Sequence, residues 1–194
     1  MPMYHEGNRG LQDAFASRAL ADRLVETLHR TAFTPADAEF IAGCGFFFLA
    51  TADAERRPDC SFKGGDPGFA RVVTPDLLVF PDYDGNGMFK SLGNIRVNPN
   101  VGLLFITMDE KPKRLRVNGT AEVVAEDLLL AEFPGGQLLV RVRPTDIFPN
   151  CPRNIPRMQL VERSPYVPRQ GEARVEPVWK GFGAFRDVVP PRRA

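Results

Sequence analysis

The chain has 194 residues, 43% of them hydrophobic and 25% charged, enough for one domain with a real core. Its 25 basic and 24 acidic residues leave a formal charge of +1, which argues against a broad electrostatic footprint for nucleic acid or a membrane surface. No run approaches the roughly 20 apolar residues of a membrane span, and the opening MPMYHEGNRGLQDAF lacks a basic-then-apolar signal pattern, so a cytoplasmic location is expected.

In chain order, residues 1–42 read as a helical region. A helix is expected from about Leu11 to Arg30, with Ala21, Leu24, Val25 and Leu28 on one stripe. TPADAEFIA reads as a second helix start: Thr34 at the N-cap, Pro35 at the first helical position, and Asp37 completing a capping box. From Phe46 the period changes. FFFLATAD, CSFKG, ARVVT, LLVFPD, VGLLFI, LRVNGTAEVV and QLLVRVRPTDIF are short strand candidates, separated by turn chemistry such as DYDGNG and VNPN. Their spacing over residues 43–148 points to an antiparallel barrel or sandwich. They do not alternate with long helices, which disfavours a doubly wound nucleotide fold.

One segment breaks the strand pattern. Met88, Leu92 and Ile95 are spaced for a short helix between two strands, ended at Asn98-Pro99. Residues 149–194 are rich in Pro and Arg with no long periodic run, so an extended tail is expected to close the barrel or a partner subunit. The whole reads as a single domain. Cys44, Cys60 and Cys151 are odd in number and form no C-x-x-C pair; with only His5 and His29 to join them, free thiols and no metal site are expected.

The stretch from Gly85 to Ile106, GNGMFKSLGNIRVNPNVGLLFI, carries a Lys-Ser pair after a glycine-rich turn. A P-loop needs glycine directly before that pair, and Phe89 stands there. A dinucleotide fingerprint needs a third glycine where Lys90 stands. What remains is a helix N-terminus, whose unpaired N–H groups and partial positive charge suit an anion. Lys63 in SFKGG and Arg116 in LRVNG add cations from two strands. On RLRVN, Arg114, Arg116 and Asn118 share one face, Leu115 and Val117 the other.

The order of the blocks PDCSFKGGDPGFARV, LLVFPDYDGNGMFKSLGNIRVNPNVGLLFI and KRLRVNGTAEVV resembles the FMN-binding split β-barrel proteins related to pyridoxamine 5'-phosphate oxidase. NPNVGLLFI after the helix is the most telling block. The likeness covers Phe46 to Val124 and extends to FPNCPR and VEPVWKGF in the tail. It implies a mainly β (α+β) fold: an antiparallel split β-barrel with flanking N-terminal helices and a short inter-strand helix. It also implies a homodimer with FMN in a cleft at the subunit interface. Carried over by position, Lys63 on the second barrel strand, with Ser61 beside it, holds the FMN phosphate together with Lys90 and Ser91. Phe80, Pro81 and Asp82 turn their backbone to the isoalloxazine edge, and Asn94 lies one helical turn beyond Lys90. Arg116 sits on the strand that lends a polar residue near the flavin, and Trp179 matches an aromatic lining the site from the other subunit.

The departures bear on the substrate. Pro58 stands near the family's second-strand arginine, and Phe89-Lys90-Ser91 replaces a Ser-Arg-Lys run. WKGFGAFRD offers only Arg186 for the substrate-phosphate motif. The resemblance therefore implies an FMN-dependent oxidoreductase acting on an unknown small molecule, the departures counting against vitamin B6 oxidation, with the flavin carrying the hydride or electrons. The alternatives are a flavin- or haem-binding module without turnover, or a deazaflavin-dependent reductase.

Overall fold

The computed structural model describes residues 3–190. Three helices open the chain: α1 (Glu6–Ala14), α2 (Arg18–Leu28) and α3 (Pro35–Gly43). The single long helix expected over Leu11–Arg30 is thus a helical hairpin, broken where Ala16 takes a left-handed conformation at φ 51°. The break lets α1 fold back on α2, where Arg9 meets Asp22 at 2.6 Å. α3 begins as the sequence indicates: Thr34 accepts from the Asp37 N–H and Asp37 reaches back to the Thr34 N–H. His29 meets Asp146 at 2.8 Å and the Arg30 backbone bridges to Ile147, which ties the hairpin to the barrel.

Seven strands follow: β1 (Phe46–Ala52), β2 (Pro58–Gly64), β3 (Arg71–Thr74), β4 (Leu77–Tyr83), β5 (Asn100–Ile106), β6 (Arg114–Val124) and β7 (Gly136–Pro149). The inter-strand helix α4 (Lys90–Val97) lies between β4 and β5. All pairings are antiparallel, in the order β2-β1-β5-β6-β7-β4-β3. The two outermost strands, β2 and β3, are consecutive in the chain. Laid flat, the sheet would separate them by about 29 Å, six spacings of about 4.8 Å. The link from Gly64 to Arg71 reaches about 24 Å at full stretch, and it is not stretched: the Phe69 N–H turns back to the Asp66 carbonyl. The sheet must therefore curl on itself. The result is a barrel with a seam between β2 and β4, the split β-barrel the sequence implies.

The concave face holds the core. Phe47 sits at its centre, with ring centroids 4.9 Å from Phe105, 5.0 Å from Phe80 and 5.7 Å from Phe69. Leu49, Leu103, Leu115, Val117, Val140 and Ile147 close around it. A smaller cluster of Leu77, Val79, Leu139 and Phe133 lies on the other face of β4 and β7, beneath a 3-10 turn at Leu128–Glu132. Beyond Pro149 the described tail has no strand, only a 3-10 turn at Val178–Gly181.

The β6–β7 register shifts between Asn118 and Gly119, bringing two backbones into contact. A Cβ at Gly119 would stand 2.2 Å from the Arg143 carbonyl oxygen, a rigid neighbour that cannot swing away. Gly119→Ala is therefore expected to lower unfolding stability by about 1–3 kcal/mol, the usual cost of overpacking. Urea unfolding followed by far-UV circular dichroism checks it.

Candidate functional site

The site is built where α4 crosses the edge of the sheet. The chain enters the helix through Phe89, held left-handed at φ 47°, a strained state for a bulky residue. No side chain caps the helix, so its first N–H groups have no capping acceptor. Leu92 and Ile95 pin one side of the helix into the core. Ser91 and Asn94, also inward, are only 4% and 5% exposed. A buried polar group needs a partner, and both have one. Asn94 Nδ2 donates to Thr51 Oγ1 at 3.0 Å on β1, and the Ser91 and Ser61 hydroxyls meet at 2.9 Å on β2. Ser91 also reaches Asp59 Oδ2 at 3.5 Å.

The inner face of β2 is polar although it belongs to a barrel interior. The register sets Lys63 opposite Phe47, Ser61 opposite Leu49 and Asp59 opposite Thr51. Directly paired residues share a face, so these three line the inside at the seam while Cys60 and Phe62 point out. Lys63 is half-buried, and among the described residues no carboxylate lies within ion-pair distance of it. Across the seam stands Asp82. Burial raises its carboxyl above the usual range; a hydrogen bond from Gln137 Nε2, 2.9 Å from Oδ2, and the charge of Lys63 oppose the rise, and Asp84 adds to it. β3 pairs with β4 only as far as Val79, so the β4 backbone from Phe80 to Tyr83 has no strand partner on its seam side.

The structure brings together Ser61, Lys63, Ser91, Asn94 and Asp82, with Lys90 exposed at the head of α4. The Phe80 ring belongs to the core and Pro81 turns to the opposite face near Gly136, so only their backbone is offered to the seam. Arg116 sits elsewhere. It pairs with Leu104, which pairs with Phe48, the neighbour of Phe47, so it lies on the outer face. The three cations expected to converge therefore do not do so within one chain, because strand alternation sends Lys63 in and Arg116 out. Trp179 lies on the tail, stacked edge-on against Phe185 at 6.1 Å.

Three site residues were not singled out from sequence. Asp59 was legible, because alternation in DCSFK puts it on one face with Ser61 and Lys63. Thr51 continues the inward Phe47–Leu49 series. Gln137 left no local signal, since only the β4–β7 register brings it to Asp82. Elsewhere, burial pushes the Cys44 thiol to about 11, which leaves it a buried, unreactive thiol at neutral pH. Among the described residues no group of His, Cys, Asp and Glu is placed to hold a metal, and no helix is long and apolar enough to cross a membrane.

The family model for pyridoxamine 5'-phosphate oxidase matches residues 33–162, and the chain belongs to this family. No curated protein matches it. Among solved structures it is similar to HupZ of Group A Streptococcus at 18% identity, covering 60% of this chain and 93% of that one, with a TM-score of 0.48. It is similar to HutZ, the haem storage protein of Vibrio cholerae, at 20% identity over 58% of this chain and 90% of that one, TM-score 0.41. It is similar also to an FMN-binding protein of Syntrophomonas wolfei at 13% identity over 73% and 97%, TM-score 0.41.

The Asp82 environment has a measurable consequence. An acid whose folded pKa is raised stabilises the fold fully below its unfolded pKa and loses that contribution as pH rises through the folded value. Asp82→Asn, which keeps an acceptor for Gln137, is expected to flatten the fall in stability from acid to neutral pH. Unfolding midpoints measured across that range check it.

Proposed function

We propose that this chain is an FMN-dependent oxidoreductase working as a homodimer in the cytoplasm on a small organic substrate. The observation that carries this reading is the unpaired, half-buried Lys63 on an inner face, two residues from the Ser61–Ser91 hydroxyl pair and the uncapped start of α4. A half-buried cation without a carboxylate partner is costly unless an anion supplies the charge. Such a set fits a phosphate monoester: Lys63 and Lys90 as charges, the Ser61 and Ser91 hydroxyls and the first α4 N–H groups as donors.

Bound there, FMN would supply hydride and electron transfer, the chemistry this chain has no side chain to perform. The protein's own part is positional. Lys63, Lys90 and Ser91 bind; the free β4 edge from Phe80 to Asp82 offers backbone donors and acceptors for a flat polar ring. Gln137 donates to Asp82 Oδ2, and burial raises this carboxyl's pKa at the seam. The haem alternative is less well served. His5 caps α1 and His29 is bonded to Asp146, so neither imidazole stands at the seam to serve as an axial ligand.

The dimer reading rests on the outer face. Phe46 stacks on Phe62 at 5.3 Å, Phe48 joins them, and Phe62 is 62% exposed. Arg116 lies on this same face beside Phe148, where a second subunit would bring it toward that subunit's own seam.

Two measurements test these readings. Lys63→Ala and Lys90→Ala are each expected to weaken FMN binding by about 1.5–3 kcal/mol, the scale of a hydrogen bond to a charged group. Fluorescence titration of the apo-protein reads this, and unchanged affinity in both variants removes the site. Phe62→Asp is expected to move the sedimentation boundary from dimer to monomer without loss of helix or sheet signal.

A further inference from the structure

The tail from residue 150 to Gly181 carries few of the attachments that fix a chain segment permanently. Its apolar side chains are largely in solvent, Val161 at 92% exposure. Its backbone meets the barrel at few points, among them the Met158 N–H on the Met108 carbonyl. Side-chain ion pairs do most of the holding. Arg169 grips Asp66 with two hydrogen bonds, 2.6 and 3.1 Å, and Arg163 approaches the same carboxylate at 3.4 Å. Lys180 pairs with Asp84 and lies 3.9 Å from Glu176. Between these points the tail passes over Gly135, which sits at φ 72°; a Cβ there would stand 2.6 Å from Pro168.

The positions of the two acceptors matter more than their number. Asp66 follows Lys63 by three residues, on the link that closes the barrel. Asp84 follows Asp82 by two, on the loop leading to α4. The ion pairs thus fasten the tail to both lips of the seam. These pairs are half-buried, with Arg169 at 25% and Lys180 at 14% side-chain exposure, so salt screens them less than open surface pairs but still reaches them, the Debye length falling from about 30 Å at 0.01 M to about 3 Å at 1 M. A segment held this way opens locally far more readily than the barrel unfolds.

We propose that residues 150–181 form an ion-pair-latched strap over the seam, and that release of Arg169 from Asp66 and Lys180 from Asp84 sets how fast cofactor enters and leaves. The cofactor clause rests on the FMN reading above; the latch itself does not.

The test uses the full chain and the variant Arg169→Gln/Lys180→Gln, which leaves the seam strands unaltered. Hydrogen exchange of residues 158–181 is compared with that of β5 and β6, and FMN dissociation is followed by recovery of flavin fluorescence. The expected result is at least tenfold faster exchange of the strap, unchanged exchange of β5 and β6, and at least tenfold faster FMN release. Asp66→Asn should act in the same direction. The unaltered chain should show the same trend as sodium chloride rises from low to high concentration, which keeps the latch testable if a variant folds poorly. Strap exchange indifferent to both substitution and salt overturns the latch, whether or not flavin binds. A loosened strap with an unchanged FMN release rate overturns the gate. A wild-type chain that takes up no FMN, with a strap that still loosens in the variant, supports the latch and sinks the cofactor reading instead.

Discussion

A six-residue link between β2 and β3 constrains everything else in this molecule. It joins the two ends of a seven-stranded sheet, so the sheet must roll up, and β2 cannot pair on its outer edge. An edge strand with free backbone groups has to be blunted or used. Here it lines a seam, with Asp59, Ser61 and Lys63 facing inward where apolar residues would otherwise stand. α4 is laid across it and bonded through Ser91 and Asn94. The polar inner edge is affordable because the rest of the interior, centred on Phe47, is packed with aromatic and aliphatic side chains.

Much of this was legible in the sequence. All seven strand candidates became strands, because each is a short apolar or alternating run bounded by turn residues, and the capping box at Thr34–Asp37 formed as written. The helical stripe after Leu11 misled in one respect: periodicity continues through Ala16, but nothing in it records that α1 gains more by folding onto α2 than by extending. Lys63, Ser61, Ser91 and Asn94 could be grouped from spacing and family likeness. The placement of Arg116 could also be reached, since its own alternation puts it opposite Val117, but the face shared with Lys63 depends on the registers of β1, β5 and β6 together. Gln137 at Asp82 is invisible without the β4–β7 register.

The charges around the seam sort into two kinds. Asp66 and Asp84 are spent on the tail, held there by Arg169, Arg163 and Lys180. Lys63 has no such partner among the described residues, and Asp82 is bonded by a neutral amide while burial raises its pKa. A cation unpaired beside uncapped N–H groups, facing a carboxyl whose pKa burial raises, is the arrangement from which we infer a site for an anionic ligand with a polar ring.

The most direct test of that central claim is a crystal structure of the chain grown with FMN. The account expects the flavin phosphate within hydrogen-bond distance of Lys63 Nζ and the α4 N-terminus, with the ring edge against the β4 backbone at Phe80–Asp82. Flavin seated away from the seam, or a seam that stays free of flavin while Lys63 turns to pair with a protein carboxylate, would contradict it.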